Sequence, residues 1–263
     1  MRIIPTTLAA LASLSAAGAA QAHFQLLYTP QMQLPEPADI ELRMVFGHPL
    51  DNGHVMDMAA PERFFVRFRG EQTDLADSLT PITWQGAENA GKALGASFKA
   101  QRQGDYSFVL VPAPYWEDGE NTFIQQFSKT IINRGGLPTD WYEPVGLPTE
   151  IVPMVKPYQV FAGSTFTGQL LSDGEPAAGI ECEVEFINTS VDVTANAFGK
   201  ETLITAPETV IVTMTDANGV FTFGIPRPGI WGFACLEAGP VTEHEGKELS
   251  QDAVLWINVV ELD

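Results

Sequence analysis

The sequence predicts an all-β protein built of two β-sandwich domains. Gly, Pro, Asn and Asp recur at short intervals, and apolar or β-branched residues alternate between these turn signals. The 263 residues include 23 Gly and 19 Pro, a content that favours many short strands joined by turns. Few windows show helical periodicity, and the most plausible one, residues 87–96, is too rich in Gly to be trusted as a helix.

The first half contains four clear strand segments, in which β-branched and aromatic residues are frequent. They are residues 40–46, 64–68, 106–111 and 122–132. A long loop follows over residues 133–149, and the prolines within residues 150–157 favour an extended connector there. We therefore expect a domain boundary near Lys156, with one domain over residues 23–156 and a second over residues 157–263.

The second half shows an ordered series of strand and turn signals. Strand segments at residues 161–171 and 179–186 flank an Asp173-Gly174-x-Pro176 turn, and a Pro-x-Pro-Gly turn ends at Gly229. Between them, Asn218-Gly219 separates two alternating apolar runs and predicts a β-hairpin. This order resembles the carboxypeptidase-regulatory-like, transthyretin-like sandwich. The resemblance implies a structural module at the C-terminus, and we expect an immunoglobulin-like or transthyretin-like sandwich in each half.

The two cysteines lie on the apolar side of their predicted strands. Cys182 alternates with Glu181 and Glu183, and Cys235 follows Trp231 at the same parity. Both thiols are therefore expected to face the same interior. In an oxidising compartment they can form a disulfide; the alternative is a pair of buried free thiols that pack as small apolar groups.

The first 22 residues have the three parts of a secretory signal peptide. A basic start at Met1-Arg2 precedes an apolar run over residues 3–19 and an Ala20-Gln21-Ala22 cleavage box. Cleavage after Ala22 is expected to make His23 the first residue of a periplasmic protein. No later apolar stretch approaches the roughly 20 residues of a membrane helix, so we expect no membrane anchor of its own.

The charge balance excludes one class of partner. The chain has 33 Asp and Glu against 14 Lys and Arg, which gives a formal net charge of −19. Nucleic-acid binding depends on cationic contacts to phosphate, and this composition argues against it. An acidic surface is compatible with the gathering of cations.

The expected N-terminal histidine indicates metal binding. The α-amine and the Nδ1 atom of such a residue lie within chelating reach of one ion, and both nitrogens suit Ni(II), Cu(II) or Zn(II). The other reading is that His23 simply begins a strand. Three further histidines in the chain can complete a ligand set, and these are His48, His54 and His244.

These three histidines lie at predicted turns or strand ends. His48 precedes Pro49, which ends a strand, and His54 follows an Asp51-Asn52-Gly53 turn. His244 lies in a charged loop between two C-terminal strands. We expect this loop to fold back over the first domain and close a metal site between the domains.

Other side chains of the same region could assist. Met56 and Met58 alternate with His54, although methionine at such positions is more typical of core packing. Carboxylate candidates for the remaining metal positions are Glu117, Glu150 and Glu245.

Motifs along nearly the whole chain resemble those of the NikK-type periplasmic nickel-binding accessory proteins. The similar segments are Ala22-His23-Phe24, Phe46-Gly47-His48-Pro49, Met56-Asp57-Met58, Pro112-x-Pro114-Tyr115-Trp116-Glu117, Gly146-Leu147-x-Thr149-Glu150-Ile151-Val152-Pro153 and His244-Glu245-Gly246-Lys247. The resemblance implies capture of Ni(II) outside the cytoplasm and delivery to a membrane nickel uptake transporter. It also implies His23, His48 and His244 as ligands, whereas His54 is not part of the family's motifs.

Three alternatives stay open at this point. A periplasmic copper-binding protein would use the same nitrogens, because Cu(II) outcompetes Ni(II) at most such sites. A copper oxidase or monooxygenase with a histidine brace would need only His23 and one more imidazole, such as His48. A purely structural, adhesin-like module would use none of them. No hydrolytic side-chain arrangement or phosphate loop is recognisable, so we expect a binding protein rather than an enzyme.

Overall fold

The computed structural model describes residues 23–262, and the predicted signal peptide and its cleavage site therefore lie outside the described residues. The described chain forms 23 β-strands and one short 3₁₀ helix, Ala76–Ser78. The first eleven strands are β1 (Phe24–Tyr28), β2 (Gln33–Leu34), β3 (Ala38–Gly47), β4 (Val55–Met56), β5 (Arg63–Phe68), β6 (Glu71–Asp74), β7 (Thr80–Gln85), β8 (Ala90–Ala100), β9 (Gly104–Val111), β10 (Tyr115–Glu117) and β11 (Thr122–Arg134). The next twelve are β12 (Thr149–Pro153), β13 (Val160–Phe161), β14 (Thr165–Ser172), β15 (Glu175–Pro176), β16 (Glu181–Phe186), β17 (Thr189–Asp192), β18 (Ala197–Thr202), β19 (Ile211–Met214), β20 (Val220–Gly224), β21 (Gly229–Cys235), β22 (Glu243–His244) and β23 (Lys247–Val260).

The predicted all-β sandwich class is confirmed, and so are most predicted strands. The four segments of the first half lie within β3, β5, β9 and β11. The predicted strand over residues 161–171 is instead divided into β13 and β14, because Gly163 turns the chain with a φ of 78°. Within residues 23–262, no helix is both long and apolar enough to span a membrane.

Three sheets make up the described chain. The first has the order β1-β3-β8-β7-β18-β17, with β4 added to β3. The second is larger and has the order β19-β16-β21-β23-β11-β9-β5-β6, with four short strands attached to β11 and β23. The third consists of β12, β14 and β15, with β20 paired to β14.

The large sheet continues through both halves of the sequence. In it, β11 pairs in parallel with β23, from Phe123 opposite Leu249 to Thr130 opposite Trp256. The largest cluster of buried apolar residues likewise contains Phe24 and Trp256, whose rings meet edge to face at 5.7 Å. The boundary near Lys156 stays a prediction, and this pairing fixes the first half directly against the second.

The cysteines form a disulfide. Cys182 on β16 lies directly opposite Cys235 on β21, and both residues are fully buried. The sequence left open a disulfide or two free thiols, and the structure contains the disulfide.

The predicted Asn218-Gly219 hairpin is wrong, although the turn exists. Gly219 takes a φ of 71°, and the Asp216 side chain accepts the backbone N–H groups of Asn218 and Val220. The strands before and after the turn belong to different sheets, since β19 pairs with β16 and β20 pairs with β14. A local turn signal specifies the reversal of the chain, but longer neighbouring strands determine the pairing.

Candidate metal site

His23 is held at the start of β1 by an amide from another strand. The Gln126 side chain donates to the His23 carbonyl over 2.7 Å and accepts the Gln25 backbone N–H over 2.7 Å. It thus replaces a neighbouring strand at this point. The next side chain, Phe24, is fully buried against Trp256, and this burial anchors the start of β1.

His48 lies in a turn that the second half of the chain holds in place. The turn closes where Gly53 donates to the His48 carbonyl over 3.2 Å. The Leu50 backbone N–H donates to the Glu185 carboxyl over 3.1 Å, and Asn188 donates to the carbonyls of Pro49 and Leu50. His48 is consequently buried, with 3% of its surface exposed. The prediction of a residue at the end of its strand is right, although the residue is not solvated.

His54 is positioned by the short strand β4, which directly follows it. The Asn89 side chain accepts the Val55 N–H over 2.7 Å and donates to the Val55 carbonyl over 2.9 Å. Gly91 lies against the same strand, and a Cβ there would stand 2.9 Å from Val55 Cγ1. β4 therefore rests on β8 at a place where only glycine fits without displacement. The His54 side chain itself is exposed.

Three imidazole rings form one continuous group, which we call the histidine cluster: His23, His48 and His54. The ring centroids of His23 and His48 are 4.6 Å apart, and those of His48 and His54 are 4.7 Å apart. The planes are inclined by 56° and 53°, so the rings are tilted and not stacked in parallel. The buried His48 is the central member and touches both others.

One carboxylate touches the histidine cluster. Glu117, on β10, places Oε2 3.0 Å from Nε2 of His23, and the side chains of His23 and Glu117 are 10% and 18% exposed, respectively. Glu117 was one of three carboxylate candidates from the sequence. This contact engages Nε2 of His23 and leaves Nδ1 as its other ring nitrogen.

The rings are adjacent, but their nitrogens do not converge. Among residues 23–262, no group of three or more His, Cys, Asp or Glu side chains is arranged to hold a metal ion. Binding by the histidine cluster therefore requires ring rotation, for which the exposed His54 has the most room.

The loop that carries His244 packs on residues of the first half, as expected, but His244 does not meet the histidine cluster. His244 lies on β22, paired with Lys247, and its ring meets Phe123 edge to face at 4.7 Å. Side chains alternate along β11, so Phe123 faces away from Thr122 and Ile124, which line a cleft together with His23. His244 thus packs on the face of β11 opposite to that of His23. The loop folds over an aromatic surface that includes Trp116, and not over the histidine cluster.

The other candidates also have defined places. Glu150 is a structural residue: its carboxyl is buried, pairs with the Lys129 ammonium over 2.5 Å and accepts backbone N–H groups from residues 145–147. Burial alone would raise the pKa of Glu150, but the Lys129 charge and these donors hold it below its ordinary value. Glu245 is exposed and lies 3.9 Å from His244. Met56 is core packing beside Phe46.

Gln126 is the residue that sequence reasoning missed. Besides its two bonds at the start of β1, it donates to the Asp252 carboxyl over 3.1 Å. It thereby links the backbone of His23 to the second half of the chain. A glutamine within a continuous strand has no distinguishing pattern, so only the pairing of β11 with β23 shows its role.

Comparisons with known proteins give a family and distant structural likenesses. A family model described as a domain of unknown function, DUF4198, matches residues 20–239. No curated protein matches. The D0-D1 domain of intimin is 9% identical and has a TM-score of 0.24, with 90% of this chain and 100% of that chain covered. The N-terminal eight Ig domains of Down Syndrome Cell Adhesion Molecule are 13% identical with a TM-score of 0.22, over 92% of this chain and 28% of that one. Fibronectin(III)-like modules of CbhA from Clostridium thermocellum are 7% identical with a TM-score of 0.21, over 89% and 95%.

Proposed function

We propose that this chain, which belongs to the family described as DUF4198, a domain of unknown function, is a periplasmic binding protein for a transition-metal ion, with Ni(II) as the ion. The ligands are the histidine cluster and the free amine that cleavage after Ala22 would create on His23. His244 is not included. Delivery of the ion to a membrane nickel uptake transporter is proposed from the resemblance to the NikK-type accessory proteins.

The observation that carries the proposal is the contact of three imidazoles from separate places in the sequence. His23, His48 and His54 come from the start of β1, the end of β3 and the start of β4. The ring centroid of His48 nevertheless lies 4.6 Å from that of His23 and 4.7 Å from that of His54. Imidazole nitrogen is a good donor for Ni(II), Cu(II) and Zn(II). Three such rings, of only four histidines in the chain, are more than a packing requirement explains.

The contact between His23 and Glu117 supports the chelate. A histidine that binds a metal through one nitrogen commonly donates the other N–H to a carboxylate, which fixes the tautomer and ring orientation. Glu117 lies 3.0 Å from Nε2 of His23, so Nδ1 is the lone-pair donor in this arrangement. Nδ1 is also the nitrogen that can share an ion with the amine of the same residue.

The ligand set suits reversible binding. It consists of nitrogen donors and one adjacent carboxylate, with both cysteines in a disulfide and unavailable as thiolates. Binding turns the exposed ring of His54 toward His23 and His48, while Glu117 keeps the His23 ring in its orientation. Because the His54 ring is exposed, this rotation leaves the sheets in place.

Calorimetric titration of the signal-cleaved protein with Ni(II) tests the proposal. His54→Ala removes an exposed ring and is expected to weaken binding at least tenfold without loss of fold. His244→Ala is the matched control and is expected to leave the affinity unchanged. Equal affinities in the wild type and His54→Ala, or a loss confined to His244→Ala, would contradict the ligand assignment. Oxidation of a polysaccharide in the presence of Cu(II) and a reductant would contradict a carrier function and favour the copper enzyme.

A further inference from the structure

A second, chemically different site adjoins the histidine cluster. A cleft of about 490 Å³ is lined by residues of β11, β16 and β23 of the large sheet, with His23 at one side. Six carboxyl groups line it, and its lining includes neither Lys nor Arg: Glu120, Glu181, Glu183, Glu237, Glu248 and Asp252. Hydroxyl and amide side chains, among them Thr122 and Thr242, supply further oxygen atoms.

Glu183 shows that the cleft is more than a group of surface acids. Along β16, Cys182 and Val184 face the apolar core, and the alternation turns Glu183 toward the cleft. Only 7% of its surface is exposed. Its carboxyl makes neither a hydrogen bond nor an ion pair with any described residue. Burial, followed by the nearby charges of Asp252, Glu181 and Glu120, raises the pKa of Glu183 to about 7.

Asp252 differs from Glu183 because it is fully hydrogen-bonded. Its Oδ1 accepts from the Ser250 hydroxyl over 2.5 Å and from the Glu237 backbone N–H over 3.0 Å. Its Oδ2 accepts from Gln126. Asp252 is thus fixed in the cleft wall, while the Glu183 carboxyl beside it retains all its acceptor capacity for a ligand.

A buried carboxyl without a donor either holds a proton or is ionised with a cation beside it, and a cation would therefore compete with the proton for Glu183. The ligand that this cleft fits is therefore positively charged. Small hard cations such as Mg²⁺ and Mn²⁺ are commonly bound by one or two carboxylates and keep several waters. A cleft of about 490 Å³ has room for an ion together with such waters.

We propose that the cleft binds a hydrated divalent cation of the oxygen-preferring class, with Glu183 as the direct ligand and Glu181 and Asp252 acting through bound water. The site is independent of the proposed nickel function, because it uses oxygen donors and none of the three imidazoles as a ligand. The two sites share a boundary at His23 and Gln126.

The test uses Mn(II) with the mature protein and follows the electron paramagnetic resonance signal of the free ion. We expect one site, weakened at least tenfold in Glu183→Gln and unchanged in His54→Ala. Glu175→Gln, which changes an exposed glutamate on β15 outside the cleft, is the matched control and should bind as the wild type does. The double variant Glu120→Gln, Glu181→Gln alters only exposed cleft residues and is also expected to weaken binding.

Three results would overturn the site. The first is no Mn(II) binding, and the second is equal binding in Glu183→Gln and Glu175→Gln, which would indicate a diffuse acidic surface. The third is binding of spermidine without binding of Mn(II), which would mean that the cleft takes an organic cation. If the wild-type protein bound Mn(II) but not Ni(II), only the nickel proposal would be refuted. Failure of the cleft proposal and failure of the nickel proposal are therefore distinguishable.

Discussion

The Nε2 atom of His23 lies 3.0 Å from Oε2 of Glu117, a contact between the start of β1 and the short strand β10. β10 is a hairpin partner of β11, and β11 also supplies Gln126, which holds the His23 backbone. The ring of His23 is therefore contacted by β10, and its backbone carbonyl is held by β11. With Nε2 engaged by Glu117, Nδ1 is the ring nitrogen that the proposed chelate uses.

Replacement of Glu117 tests this orientation. Glu117→Gln keeps the shape of the side chain but loses the charge that fixes the His23 tautomer. Changes to such supporting groups typically lower metal affinity by about 10–100-fold, and we expect a loss of this size for Ni(II). Glu245→Gln, beside His244, is the control. Unchanged Ni(II) affinity in Glu117→Gln would show that Nε2 of His23 is not engaged in the bound state.

Gly91 provides a test that involves none of the histidines directly. An added Cβ would lie 3.1 Å from the carbonyl oxygens of both Val55 and Met56, so Gly91→Ala must displace β4 and His54 with it. We expect a stability loss of about 1–3 kcal/mol, as for other overpacked sites, together with weaker Ni(II) binding. At Gly224 an added Cβ meets nothing within 4 Å, and Gly224→Ala should have neither effect. Urea unfolding and calorimetry measure the two quantities.

The buried Lys129–Glu150 pair predicts a large loss of stability. Its side chains are 1% and 2% exposed, and removal of one partner leaves the other charge buried. Lys129→Met is expected to lower the free energy of unfolding by about 3–5 kcal/mol. The matched control is Lys92→Met, whose pair with Asp57 is 76% and 56% exposed and should matter little. Similar urea midpoints for the two variants would refute a structural role for Glu150.

Glu183 predicts a stability that falls with rising pH. A carboxyl whose pKa is higher in the folded state binds more protons folded than unfolded between the two pKa values. For Glu183 this window runs from the ordinary value of 4.5 to about 7. With a chelator present, the contribution of Glu183 to the free energy of unfolding should decrease by up to about 3 kcal/mol across it.

The variant Glu183→Gln isolates that contribution. It should be as stable as the wild type near pH 5 and more stable near pH 8, because the neutral amide has no buried charge to desolvate. If the free energy of unfolding depended on pH in the same way in the wild type and in Glu183→Gln, the raised pKa of Glu183 in the folded state would be contradicted. Glu175→Gln again serves as the exposed control.

The sequence allowed the sandwich class and most strands to be predicted, because alternation and turn residues are local signals. It did not reveal which strands pair, as the crossing from β19 to β20 shows. The same limit affected the site. His23, His48 and His54 are near turns or strand ends in the sequence, but their contact depends on pairing between β1, β3 and β4. His244 was misplaced because a charged loop carries no information about the face of the sheet on which it packs.

The acidic residues illustrate the limit a second time. Glu181, Glu183 and Glu185 read as the solvent-facing side of β16, since they alternate with Cys182, Val184 and Phe186. In the structure Glu183 and Glu185 are buried, and the turn after His48 reaches that side of the strand, where the Leu50 N–H donates to the Glu185 carboxyl. Burial of a polar strand face by distant segments leaves no trace in local periodicity.

The most direct test of the proposed metal site concerns the amine of His23. Ni(II) titration should compare the protein that begins at His23 with a form that carries one additional Gly before it. A chelate of the amine and Nδ1 predicts tight binding of one ion by the first form and at least tenfold weaker binding by the second. Equal affinity of the two forms would contradict the chelate and remove His23 from its central place in the site.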